Sequence, residues 1–261
     1  MKIETVQIKG EILEHNGKVL VSDLEDVDLA VGHTILDIIN SLGIHAPHIA
    51  STSPRYKTTK AVKDFLSRKP EDQLAYGVFD TPKDFLKELI KNMGEKTEGD
   101  EVKPKALLPM IYLSRDPSLG FSDTDKDQAN VHQLSDGDGN IMGDVDAYWP
   151  IISYSLTIVS WHKESTSMLT SHLLTDFRSQ ARKGVRSYTS ETHLGGQPFE
   201  FSWSFQDGLT YAGSNISEPF GEGRLNAMTI DLSIKALMYK LRCAKSYEVT
   251  FTGRSSYEDT E

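Results

Sequence analysis

The 261-residue sequence predicts an α+β fold: a mixed or antiparallel sheet packed by helices, with an N-terminal β-hairpin. Three observations lead there. Residues 148–177, YWPIISYSLTIVSWHKESTSMLTSHLLTDF, pass from a strand of period two directly into an amphipathic helix. Residues 3–22 alternate apolar and polar around Asn16-Gly17, a dipeptide favoured in two-residue hairpin turns because both positions tolerate positive φ. Residues 224–241, RLNAMTIDLSIKALMYKL, carry the longest strand signal in the chain.

Taken in order, the hairpin of residues 3–22 leads to a first helix. Its stripe is Leu29, Val31, Ile35, Leu36, Ile38, Ile39 and Leu42, opened by Asp28 as cap and closed by Gly43. After the irregular HAPHIASTSP, residues 56–66 form a second helix that Pro70 ends, and LAYGVF is a short strand. Thr81-Pro82 starts a third helix, since Thr caps free amides and Pro at the first position has no amide to lose. Its stripe is Phe85, Leu86, Leu89, Ile90 and Met93, with Gly94 as the stop. Residues 95–104 read as a charged linker. ALLPMIYL, residues 106–113, is a strand that Pro109 places at an edge or a bulge, because proline lacks a ladder donor.

Residues 116–146 show neither period and carry eight Asp against one Lys, so a long solvated loop is expected. In the next strand, Ile152, Tyr154, Leu156 and Ile158 share one face, and Ser153, Ser155 and Thr157 the other. Hydroxyl-rich KESTS caps a helix whose buried side is Leu169, Leu173 and Phe177, flanked by Met168 and His172. A loop over residues 178–197 leads to the alternating strand PFEFSWSF, then to the strand of residues 224–241, whose inner face is Met228, Ile230, Leu232, Ile234 and Ala236. YEVTF adds one more strand. The expected division is residues 1–50, hairpin plus helix, as an extra contact arm; 51–252 as core; and 253–261 as a frayed polar tail.

A hydrophobic fraction of 38% permits a real core at this length. The formal charge of -10 argues against non-specific wrapping of nucleic acid, which needs a basic face. Cys243 stands alone in an apolar stretch, so no intrachain disulfide forms and a buried inert thiol is expected in a reducing compartment. No run approaches the roughly 20 apolar residues of a membrane span, and MKIETVQIKG lacks the apolar stretch of a signal peptide. Neither export nor membrane anchoring is expected.

No motif for catalysis emerges. Asp136-Gly137-Asp138-Gly139-Asn140 copies the opening of a calcium loop, but Ile141 stands where the turn needs glycine and Ala147 where the bidentate Glu belongs. A solvated loop is the expectation, with Asp144 and Asp146 able to attract only a weak adventitious cation. His45 and His48 sit beside Pro47 without a third ligand. There is no G-x-S-x-G elbow, P-loop or dinucleotide fingerprint. Arg178, Arg182, Lys183 and Arg186 gather four cations within nine residues of an acidic chain. Two readings stand open. One is a solvated helix end that complements the dipole. The other is an electrostatic dock for an acidic partner surface, such as the Asp-rich segment of a neighbouring copy. Nucleic acid is a weaker third reading, with aromatic interleaving limited to Tyr188.

Five segments in order, RYKTTKAVKDFL, LAYGVFDTPKDFLKEL, ALLPMIYLSR, the strand and helix of residues 148–177, and GRLNAMTIDLSIKALMY, resemble the tail terminator, or tail sheath stabiliser, proteins of contractile-tailed bacteriophages. The resemblance covers residues 55–241 and rests on order and pattern. It implies a structural virion protein, not an enzyme: a homohexameric ring that caps tail tube and sheath at the head-proximal end and joins the tail to the neck. The implied partners are further copies of itself, tail sheath, tail tube or tube terminator, and neck proteins, with no membrane, no sequence-specific nucleic acid and no cofactor. It implies assembly in the host cytoplasm and residence at the tail–neck junction of the virion. The family is defined by surfaces, so the resemblance assigns no catalytic or metal residue; the four-cation cluster is read from this sequence alone. The competing readings are another neck or head–tail joining protein and, more distantly, a metal-dependent enzyme using the Asp-rich segment.

Overall fold

Strand β6 (Pro150–Ser160) pairs antiparallel on one side with β11 (Gly223–Ala236) and on the other with β3 (Met110–Phe121). The structure, a computed structural model, describes residues 2–43, 54–96, 107–121, 128–135, 138, 141–183, 187–206, 212–221 and 223–257. Around that centre an eight-stranded mixed sheet runs in the order β2 (Leu74–Tyr76), β3, β6, β11, β8 (Gln197–Phe205), β7 (Tyr188–Leu194); β2 is parallel to β3. The short strands β9 (Gly213–Asn215) and β10 (Glu218–Phe220) also pair with β11. The fold is α+β.

Strand alternation decides which helix lies where. Ile152, Tyr154, Leu156 and Ile158 share a face with Ile230, Leu232, Ile234 and Ala236, and α1 (Leu24–Asn40), α2 (Pro54–Leu66) and α4 (Lys163–Lys183) cover it. Leu169, Leu173 and Phe177 are the buried stripe of α4, as their spacing predicts. On the opposite face, α3 (Pro82–Lys96) seats Phe85 and Leu86 against Met110, Tyr112, Val159 and Ala227. The same face then becomes polar: Thr157 and Thr229 hydroxyls lie 2.8 Å apart, and Ser155 donates to Asp231 at 3.0 Å.

A second sheet has the order β1 (Lys2–Val21), β12 (Met238–Tyr257), β5 (Ile141–Tyr148), β4 (Gln128–Ser135). It shares a spine with the first. Strands β5–β6 and β11–β12 keep one antiparallel register from Asn226 opposite Ser160 to Cys243 opposite Gly143, interrupted between Lys235 opposite Ile151 and Met238 opposite Tyr148. The β7–β8 turn tucks Leu194 against Leu134, Val145 and Leu241, a small separate core in which Cys243 is partly buried.

Several expectations need correction. Asn16-Gly17 does not close a hairpin: β1 is one 20-residue strand, and the dipeptide sits at a register shift between His15 and Val19. Gly17 takes φ +76° and the Asn16 side chain accepts from the Lys18 amide at 3.0 Å, so the turn chemistry is used for a bulge. The long pairing with β12 keeps the chain from reversing. Helix α1 is capped by Asp23, which accepts from the Glu25 amide at 2.9 Å, so it starts before Asp28; Ser41 is its C-cap, and Leu29 is exposed. Helix α3 continues past Gly94 to Lys96. The Asp-rich segment is not one loop, since β3 runs on to Phe121 and β4 and β5 take up most of residues 128–148. Pro109 precedes β3, after a cis peptide bond from Leu108. Residues 253–257 continue β12 opposite β1. Helix α1 packs into the main core and β1 pairs with β12, so residues 2–43 are joined to the rest.

Candidate interaction surfaces

The longest strand pairing in the structure is that of β1 and β12, from Val21 opposite Lys240 to Lys2 opposite Tyr257. Strand β5 accompanies β12 only as far as Cys243. Beyond it, His15 opposite Ala244 opens a stretch in which β1 is the sole partner of β12 among the described residues. A two-stranded ribbon is marginal in water unless something packs on it.

At the base of the ribbon the four-stranded sheet carries a charge ladder. On one face, Val19 lies opposite Arg242, Arg242 opposite Asp144, and Asp144 opposite Gln133; the next row begins Val21, Lys240, Asp146. Arg242 grips Asp146 with Nε 3.0 Å from Oδ2 and a terminal nitrogen 3.2 Å from Oδ1. Asp144 receives His15 at 3.4 Å and the Gln133 amide at 3.4 Å. The two carboxylates expected to attract a cation therefore have protein partners. Gly143 makes the close approach possible: at φ +155°, a Cβ there would run into the Arg242 carbonyl.

The cation cluster lies elsewhere than expected. Helix α4 runs through Lys183, so Arg178, Arg182 and Lys183 belong to its last turns instead of to a loop, and Arg178 is exposed. The reason is local propensity: Arg, Gln, Ala and Lys extend a helix after its apolar stripe has ended at Phe177. Cations at that end also complement the dipole. Arg186 lies outside the described residues, as do Asp136, His45 and His48; Asp138 is exposed. Among the described residues no three metal-binding side chains gather into a site, and no helix is long and apolar enough to cross a membrane.

One polar cleft was invisible to sequence reasoning. Asp28 on α1 meets Arg115 Nε at 3.0 Å and accepts from the Tyr154 hydroxyl at 2.6 Å, beside a hollow of about 180 Å³ also lined by Tyr76, Val78 and Leu113. Burial, then the bond to Asp28, pushes the Tyr154 phenol far above its ordinary pKa. Burial raises Tyr76 and Tyr112 as well, with Asp28 adding to the shift at Tyr76. With its carboxylate held by Arg115 and Tyr154, Asp28 ties helix to sheet. Two further bonds anchor α1: His172 Nε2 on α4 lies 2.7 Å from the Ile38 carbonyl, and Thr192 on β7 donates to Asp26 at 2.6 Å. Arg68 spans three consecutive carbonyls, those of Leu107, Leu108 and Pro109, at 2.7, 3.4 and 2.8 Å. Such long-range pairings leave no periodic trace in sequence.

Set against known proteins, the chain matches no family model, and no curated protein matches it.

Proposed function

We propose that this chain is a structural virion protein of the tail-terminator, or sheath-stabiliser, kind: a homohexameric ring at the head-proximal end of a contractile tail, joining it to the neck. The β1–β12 ribbon supports this reading most. It extends twenty-residue strands past the sheet that anchors their base, and the strand edges with no partner among the described residues are suited to adding strands from neighbouring chains. The rigid helix-covered sheet beneath it gives each copy a fixed frame, which a closed ring needs. The role is structural, without a catalytic step.

End-capping of polymerised sheath tests the proposal. Purified chain added to sheath and tube is expected at one end of each sheath, visible by electron microscopy, and to halt elongation there. Binding to the tube with none to the sheath contradicts the stabiliser role and favours a tube terminator or another joining protein.

A further inference from the structure

We infer that the hollow beside Asp28 is a binding site for a small carboxylate on a short apolar stem, held by the guanidinium of Arg115 and the hydroxyl of Tyr76. This goes beyond the ring reading and does not depend on it. The sheet itself makes the opening. Strand β2 ends with Tyr76 opposite Leu113, and the Gly77 amide bonds the Leu113 carbonyl at 3.1 Å. Arg115, two residues further along β3, therefore has Tyr154 opposite it on one side and no strand on the other among the described residues.

Two donor groups on the wall of this hollow have unused capacity. Arg115 meets Asp28 through Nε alone, 3.0 and 3.1 Å from its two oxygens, so its terminal nitrogens hold no acceptor among the described residues. Those two nitrogens form the fork that matches a carboxylate. The Tyr76 hydroxyl lies over Gly32 of α1, where a Cβ would collide with it, and donates to no described residue. Burial, with Asp28 adding to it, makes that phenol hold its proton, so it remains a donor. The neighbours then select among anions. Asp28 already balances part of the Arg115 charge, and its own oxygens are engaged by Arg115 and Tyr154. A monoanion fits beside that carboxylate better than a phosphate dianion, which it would repel. Size sets the length of the occupant. The hollow holds about 180 Å³, below the roughly 300–1,000 Å³ of sites for drug-sized ligands, so the occupant is short. Leu113 and Val78 supply an apolar wall for its stem, and Val78 is 77% exposed, so it stands at the mouth.

Saturation-transfer NMR of the full chain with propionate, at constant ionic strength, tests the site, because it reads weak ligands on a monomer and on a ring alike. Wild type is expected to saturate with a dissociation constant on the order of 1 mM, as suits so few atoms. Propionamide, which has the same shape without the charge, and inorganic phosphate should each bind at least tenfold more weakly. Tyr76→Phe should weaken propionate severalfold, and Arg115→Gln at least tenfold. Should Arg115→Gln unfold by releasing Asp28, Val78→Trp replaces it: filling the mouth from an exposed position, it should abolish saturation with the circular dichroism spectrum unchanged. N-acetylglutamic acid α-methylamide separates the two sources of such a carboxylate. Binding tighter than that of propionate identifies a glutamate side chain of another chain, and weaker binding a free acid. Equal binding of propionamide, a preference for phosphate, saturation unchanged in both Tyr76→Phe and Val78→Trp, or no saturable propionate signal in wild type overturns the site. None of these outcomes bears on the ring.

Discussion

Tyr154 reaches from the middle of the sheet to Asp28 on α1, and its environment sets a pH dependence. The folded chain holds the phenol proton more tightly than the unfolded chain does. Above the ordinary tyrosine value of about 10, the unfolded chain releases that proton and the folded chain keeps it, so stability falls as pH rises, by about 1.4 kcal/mol per pH unit for this group. Below that value the term is constant. Urea unfolding between pH 8 and 11.5 should show the decline, and Tyr154→Phe should make it shallower while costing about 1–3 kcal/mol at neutral pH through the lost hydrogen bond to the Asp28 carboxylate, which Arg115 still holds. Equal slopes in the two proteins contradict the assignment. Arg68→Ala is expected to cost about 2–4 kcal/mol, because it strands the carbonyls of buried Leu108 and Pro109 as well as that of Leu107. A urea midpoint equal to wild type contradicts that. Neither site was legible beforehand: Asp28 read as a helix cap, and nothing in the local pattern singles out Arg68 or Arg115. Their partners lie between 39 and 126 residues away, and local patterning carries no information at that distance.

At the scale of elements the sequence is most informative where one face is buried and the other wet. Strand β6 and helix α4 match their predicted faces residue by residue because Tyr154, Leu156, Leu169 and Leu173 each repeat at the period of their element. Boundaries fare worse where propensity and packing part company. Helix α4 outlasts its apolar stripe, and Asp23 takes the capping role because Leu24 and Val27 already belong to the helix. The segment of residues 116–146 hid β4 and β5, whose stabilising groups are cross-strand ion pairs and glycine, not a run of alternating apolar residues. Gly143→Ala tests this reading of β5. A methyl group directed at the Arg242 carbonyl forces the β5–β12 pair apart, so a loss of about 3 kcal/mol or more in unfolding free energy is expected. The change should leave the α1–α4 side of the core protected in hydrogen exchange, and uniform loss of protection contradicts it.

For the whole molecule, the spine depends on pairing β5–β6 with β11–β12 and the ribbon on pairing the first strand with the last, and no sequence window can show either. What was legible was the α+β class. The basic cluster now at the end of α4 was a candidate surface already in the sequence, whereas the ribbon had to come from the fold. Arg178→Glu/Arg182→Glu should leave the thermal midpoint within about 1 °C of wild type, since surface charges at a helix end contribute little to stability. If that end docks an acidic partner, the same variant should lower incorporation into tails severalfold; full incorporation assigns these cations to helix capping alone. The ring itself is tested most directly by mass, measured by native mass spectrometry on the free chain and by subunit counting on the assembled tail. A closed ring of identical subunits on the tail, most simply a hexamer, is the predicted result, and a single copy in both states contradicts the account.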